Sequence, residues 1–482
     1  MLRGFANLFF SYRKGMINIG NIPNLLFRPE PERRIKPVAG KELIRSAASR
    51  MFRLGGLAGR VGISMAGNTV ANFFRDTTNR ETRRSIILIK NASRIQELLG
   101  QLKGVPMKIG QMISLHEKLL PEPVVKALQS LQQNAPSVPF EDMRDMVARE
   151  LGDRFRLIRH IDETPLAAAS IGQVHRAELV NGAHIALKIQ YPGMDEVIRA
   201  DLKNLKGILT FLFSMFSSMD MDLIWQEVNA RMMEELDYER EAASMKRMAA
   251  LFKDDGRIIV PKVIDEATSR RVLGMELVLG ISPDSAFESV YPQALKNVWA
   301  ESMVRLILRG LFDFRFLHAD PNMANFAFLP DGRLIVYDFG CMKEVPESLC
   351  RGYVRLIRAM LDHAYPKMPG ILREMGVHLA GGRPVSWQMV ADFADVFQEF
   401  FHPDQHYTFG SDAAIYGRLI ALGNKHMNES MNLVFPRDVI FIDRTFGGHF
   451  GNLCRLNARS DWRSILLVHM ANACPAAHSS NR

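Results

Sequence analysis

The sequence predicts an α+β fold of two lobes, a small β-rich one followed by a larger helical one. Three observations carry this. Residues 165–190 read as two strands joined by Asn181-Gly182, a hairpin-turn pair. Residues 260–264 and 271–278 read as two more strands, ending at Gly280 and Pro283, where a hinge would fall. Beyond them lies Phe316 to Gly340, which holds His318-x-Asp320, Asn325 and Asp338-Phe339-Gly340 in one short run.

That run organises the chain. Pro330-Asp331-Gly332 is a turn and 333–337 a strand, so Asn325 and Asp338 flank a short hairpin. Phosphoryl transfer of the protein-kinase type needs such a set. One Asp positions the attacking oxygen, while an Asn and a second Asp hold Mg²⁺ on the nucleotide phosphates. Singly, each piece has a plain structural reading: Asp-Phe-Gly is a common turn, and His-x-Asp is often a satisfied histidine beside a cap. Their order and spacing set those readings aside. Asp320 is the expected catalytic residue, and Asn325 and Asp338 the expected metal ligands.

The upstream strands supply the remaining parts. A loop over Ala167, Ala168, Ala169 and Ser170 precedes the first strand, and Lys188 lies on the second, in Ile-Ala-Leu-Lys. Lys188 is expected to reach the α- and β-phosphates of ATP or ADP. The loop is Ala-rich where kinases are Gly-rich. Its backbone N–H groups can still face phosphate, but Ala tolerates positive φ poorly, so a stiffer loop is expected. Glu234 to Glu241 puts several carboxylates on adjacent helix faces, and one should pair with Lys188. Glu235, Asp237 and Glu241 are the candidates. Met275 to Val278 would offer backbone groups to an adenine.

Composition places the chain among ordinary globular proteins: 482 residues, 47% hydrophobic and 23% charged. Residues 1–60 carry twelve Lys and Arg against three Glu, which accounts for the whole net charge of +9. A basic arm of this kind suits an anionic membrane surface or an acidic partner. Leu2, Phe5, Phe9, Tyr12 and Met16 form one helical stripe, and Pro29, Pro31 and Pro37 then make a linker. Nucleic acid is not expected, since no aromatic-basic interleaving or known module appears. The four cysteines form no Cys-x-x-Cys pair, so a zinc site and a disulfide frame are not expected. No secretory signal is evident, and no apolar run reaches the length of a bilayer span.

Four segments follow: a basic arm and linker (1–40), a helical extension (41–135), an N-lobe with a helical insert (136–280) and a C-lobe (281–482). Pro139 to Gly152 and Ala294 to Arg309 read as helices. Residues 347–474 read as mostly helical, with turns at Gly381-Gly382, Pro403-Asp404 and Gly447-Gly448.

With these residues in view the chain resembles the UbiB-like (AarF-type) atypical kinase family, in its coenzyme-Q-linked branch. The resemblance rests on Lys108-x-Gly110-Gln111, the Ala-rich loop running into Ser170-Ile171-Gly172-Gln173-Val174-His175, and Lys188 with Gln190-Tyr191-Pro192-Gly193. It rests also on Glu235-x-Asp237 and on His318-Ala319-Asp320-Pro321 with Asn325 and Asp338-Phe339-Gly340. It implies a protein-kinase-like bilobal fold whose N-terminal helical extension folds over the active site. Lys108 and Gln111 would then approach Glu235 and Asp237 in a regulatory contact, and Glu241 would be the carboxylate paired with Lys188. The chain departs from the family pattern at Asn322-Met323-Ala324, where His-Pro-Gly is usual.

The expected function is a Mg-ATP-dependent atypical kinase or ATPase supporting ubiquinone biosynthesis at a membrane surface. Expected partners are anionic lipid, prenylated quinone precursors or the biosynthetic enzymes, and a second copy as a homodimer. The expected location is peripheral to the inner membrane in a bacterial cytoplasm, or the matrix face in a mitochondrion. The alternatives are a small-molecule or lipid kinase and a nucleotide-gated, non-catalytic lipid-binding scaffold.

Overall fold

The structure, a computed structural model, describes residues 138–473 except 170, 201, 204–205, 207–228, 230–231, 404 and 411–413. The basic arm, the helical extension with Lys108 and Gln111, and Ser170 thus lie outside the described residues. The chain divides into two compact units. Of the described residues, one takes 138–243 together with Val263–Leu277; the other takes Ser244–Lys262 and 278–473.

The first unit is built on a five-stranded antiparallel sheet. Its strands are β1 (Ile158–Ile161), β2 (Ala167–Ala169), β3 (Gly172–Leu179), β4 (His184–Gln190) and β5 (Val272–Glu276). The path runs β1-β3-β4-β5, with β2 also pairing β3. The β3–β4 turn closes at Asn181-Gly182. Gly182 has φ +83°, and the Asn181 side chain accepts from the Ala183 N–H at 3.0 Å. β4 is central, and every residue from Ile185 to Gln190 is buried. Ile185, Leu187 and Ile189 alternate with Ala186, Lys188 and Gln190, so the lysine and the glutamine share one face. Helix α1 (Phe140–Leu151) covers the opposite face, with Phe140 5.7 Å from the ring of His175, the cross-strand partner of Leu187. Helix α2 (Tyr238–Leu251) carries Glu241 in its first turn.

The second unit is mainly helical. Helix α3 (Gln293–Leu308) leads through one π-turn into β6 (Phe316–His318). Strands β7 (Phe326–Phe328) and β8 (Leu334–Val336) form the expected hairpin, and β9 (Met342–Glu344) returns antiparallel to β6. The strand expected over 260–264 is displaced. Ile258–Ile259 pairs in parallel with β8, and 260–264 makes only a bridge from Val263 to Met275. Helices α4 (Glu347–Leu361), α5 (Trp387–Gln398), α6 (Arg437–Arg455) and α7 (Trp462–Ala473) belong to the same unit.

One turn is a correction. Gly447-Gly448 lies inside the 19-residue α6, not at a break. The pair looks like punctuation in sequence, but a Cβ at Gly448 would collide with the ring of Pro321, so glycine is there for close approach. Gly381 and Gly382 do turn, with φ of +77° and +74°.

Candidate functional site

In the first unit the chemistry gathers around Lys188. Its Nζ donates to both carboxylate oxygens of Glu241, at 2.7 and 2.9 Å, and lies 5.1 Å from the ring centroid of Tyr238. Both charged side chains are buried, at 8% and 5% exposure. Of the three carboxylates left open by the sequence, Glu241 is the partner. The reason lies in where α2 begins. The Asp237 carboxylate accepts from the N–H groups of Glu239 and Arg240, at 3.1 and 3.2 Å, and so caps the helix. That fixes the helical phase and leaves Glu241 one turn in. Gln190 sets the start from the sheet side, donating to the Leu236 carbonyl at 2.7 Å. Glu235 is half-buried, just before the cap.

The Ala-rich segment is a strand and not a loop needing positive φ. Ala167, Ala168 and Ala169 pair with Val174, Gln173 and Gly172, and none of the three has positive φ. Alanine suits this extended backbone. Gly172 is where the small residue is needed, because a Cβ there would collide with the Ile189 carbonyl. Met275 lies within β5, paired to Ala186 on one side and bridged to Val263 on the other.

In the second unit the site lies between β6 and β9. Asn325 and Asp338 flank the β7–β8 hairpin, and the Tyr337 N–H donates to the Asn325 carbonyl at 2.9 Å. The His318 Nε2–H donates to the Asp338 carbonyl at 2.7 Å, which ties the His-x-Asp strand to the second aspartate. The Asp338 carboxylate accepts from Gly340 N–H at 3.0 Å. Asp320 accepts from Asn322 N–H at 3.1 Å, and the Asn322 side chain in turn caps the tight turn Met323–Asn325 through the Ala324 N–H at 3.2 Å. The Asn322-Met323-Ala324 departure therefore builds its own loop: asparagine caps and Met323 is buried. Val278, proposed for adenine, has its carbonyl engaged by the Tyr337 hydroxyl at 2.8 Å.

Sequence reasoning missed what α6 does here. Gly448 receives Pro321, Asn452 donates to the Pro321 carbonyl at 2.8 Å, and Thr445 reaches the Ala319 carbonyl at 3.5 Å. Spaced three and four apart on one helix face, these residues hold the backbone on both sides of Asp320.

The residues present fit a Mg²⁺ ion. One amide terminus of Asn325 is buried without a hydrogen-bond partner. A half-turn of the carboxamide exchanges its nitrogen and oxygen, so that position can offer oxygen to a cation. Among the described residues no cluster of three His, Cys, Asp or Glu exists. Magnesium in such sites needs only one or two protein ligands, because phosphates and water supply the rest.

His449, on α6, is fully buried against Phe326, with ring centroids 5.8 Å apart. Burial first, and then the neighbouring His318, push it down to about 3. The unfolded chain takes up this proton near pH 6.5 and the folded chain does not until about pH 3. Stability is therefore lost on acidification between those values, by up to about 1.4 kcal/mol per pH unit. Unfolding free energies measured from pH 7 to 4 should fall less steeply in His449→Phe. An unchanged acid limb in that variant would refute the assignment.

A β-sheet unit with a buried Lys–Glu pair, and a helical unit with His-x-Asp, Asn and Asp-Phe-Gly, define a kinase-like protein. The ABC1 atypical kinase-like domain matches residues 130–370, and the chain belongs to that family. It is 34% identical over 317 residues to the atypical kinase COQ8B, mitochondrial, of Danio rerio, covering 64% of this chain and 50% of that one. To the atypical kinase COQ8, mitochondrial, of Saccharomyces cerevisiae it is 33% identical, covering 65% and 62%. The chain thus spans about half to three-fifths of the length of these curated relatives. Among solved structures, Rv3197 of Mycobacterium tuberculosis, in complex with erythromycin, aligns with a TM-score of 0.57 at 25% identity, over 80% of this chain and 97% of that one.

Proposed function

We propose that this chain is a Mg-ATP-dependent atypical kinase or ATPase that supports coenzyme Q biosynthesis at a membrane surface. The buried Lys188–Glu241 pair carries the reading. A buried ion pair adds little net stability, and apolar residues of like volume would do as well or better. Its presence on a central strand points to function, and the phosphate-facing lysine of kinases is the function that fits.

Lys188, held by Glu241, orients the α- and β-phosphates. Backbone N–H groups of the Ala167 to Ser170 segment would meet the phosphates, and the segment Met275 to Val278 would offer backbone groups to the adenine. Asn325 and Asp338 would hold Mg²⁺, which supplies neutralisation of phosphate charge. Asp320 orients the attacking group and accepts its proton. Lys108 and Gln111, with Glu235 and Asp237, regulate access. The coenzyme Q role rests on the names of the relatives. The membrane role rests on the basic arm, for no helix among the described residues is long and apolar enough to cross a bilayer.

The test is phosphate release from Mg-ATP by purified protein, with and without liposomes carrying anionic lipid and a phenolic quinone precursor. Turnover stimulated by the liposomes supports the reading. A phosphorylated product in place of free phosphate would make it a small-molecule or lipid kinase. Tight nucleotide binding without turnover under every condition would leave a gated scaffold.

The α6 clamp gives a further expectation. Gly448→Ala should push Pro321 and shift Asp320, lowering turnover about ten- to a hundredfold, because small misplacements at reacting centres are costly. Turnover equal to wild type, with the variant folded by circular dichroism, would show that the clamp does not position Asp320.

A further inference from the structure

Behind the catalytic loop, wholly within the second unit, lies a cavity of about 100 Å³ among α3, α5, α6 and α7. Its wall is aromatic: Phe397, Phe400, Phe409, Phe450 and Trp462 line it, all buried. Among the described lining residues, only two side chains carry polar atoms. The Trp462 Nε1–H is already given to the Tyr407 carbonyl at 2.9 Å. The other is His449, 2% exposed, with neither ring nitrogen hydrogen-bonded.

An unpartnered buried imidazole is costly, and a protein core this rich in aromatics could cheaply hold phenylalanine there. Water does not resolve the cost, because a buried water needs two to four polar partners and the lining side chains offer one. The volume is of the order of an engineered apolar cavity, about 150 Å³, that stays dry and takes benzene. What the cavity lacks is an apolar body of about six or seven heavy atoms with a single hydrogen-bonding group. A neutral imidazole offers one N–H donor and one lone pair, and a hydroxyl answers either.

We propose that this cavity is a binding site for a small, uncharged cyclic alcohol, with its ring among the phenylalanines and its hydroxyl on His449. The site borders the catalytic segment through one ring. Phe326, next to Asn325, packs against both His449 and His318, at 5.8 and 5.5 Å between centroids. Its occupancy nevertheless requires no nucleotide and no turnover.

The test is titration of the full chain with cyclohexanol, followed by ligand-observed NMR and by melting temperature, without ATP. Saturable binding is expected, about tenfold tighter than methylcyclohexane, as one hydrogen bond to a buried group implies. In His449→Phe the preference for the alcohol should vanish while the hydrocarbon still binds. Leu453→Trp, which fills the cavity from α6, should abolish binding of both. Absence of saturable binding to the wild type would overturn the proposal. So would equal affinity for alcohol and hydrocarbon, which marks a packing void, or an unchanged preference in folded His449→Phe.

Discussion

Asp338→Asn is expected to reduce phosphate release from Mg-ATP by about a thousandfold or more, the scale seen when a charged group acting on developing phosphate or oxyanion charge is removed. The fold should survive. The Asp338 carboxylate accepts from the Gly340 N–H, and an asparagine oxygen accepts the same bond. The His318 bond goes to the backbone carbonyl of residue 338, which the substitution leaves in place. Loss of activity with an unchanged melting temperature therefore isolates the metal role. A second readout separates Asp338 from Asp320. Ligand binding raises the melting temperature by mass action, so ATP with Mg²⁺ should stabilise wild type and Asp320→Asn, but not Asp338→Asn. Should Asp338→Asn keep its Mg-dependent stabilisation and turn over within tenfold of wild type, the metal assignment would be wrong.

The hairpin that carries this prediction was legible because its signals are local. A Pro-Asp-Gly turn, a β-branched run and three chemical residues sit within one short stretch. Lys188 was legible for the same reason, on a strand bounded by Asn181-Gly182. Glu241 was not legible from the residues alone. Several acids fall within two helical turns, and the choice depends on where the helix starts, which a capping bond from Asp237 and a cross-element bond from Gln190 decide. The α6 clamp was opaque for a deeper reason. Gly448 and Asn452 meet Pro321 more than 120 residues away in sequence, and a glycine pair reads as a turn unless its distant neighbour is known. His449 gave no signal: one histidine on a helix looks the same whether it faces water, a carboxylate or an empty aromatic cavity. The Ala-rich segment shows the converse error. Position in the motif suggested a loop, whereas pairing to β3 makes the segment a strand.

The Lys188–Glu241 pair allows stability and function to be pulled apart. Lys188→Ala removes the ammonium from the buried Glu241 carboxylate, and Glu241→Ala removes the carboxylate from the buried ammonium beside Tyr238. Each should cost about 3–5 kcal/mol in denaturant unfolding at neutral pH, the scale for removing one side of a buried ion pair. The double variant Lys188→Met/Glu241→Leu removes both charges and refills the volume. It should recover most of that loss, because well-packed apolar replacements of buried pairs are neutral or stabilising. The double-mutant cycle would then show strong coupling between the two sites. Turnover of Mg-ATP should stay lost in all three variants, and ATP should no longer raise the melting temperature normally. A double variant as unstable as the singles would mean that the pair holds the sheet to α2 for structural reasons. A double variant that regains both stability and turnover would remove Lys188 from the chemistry. The expected pattern, stability restored and activity absent, would show a charge pair kept in a core that folds as well without it, for the phosphate it meets.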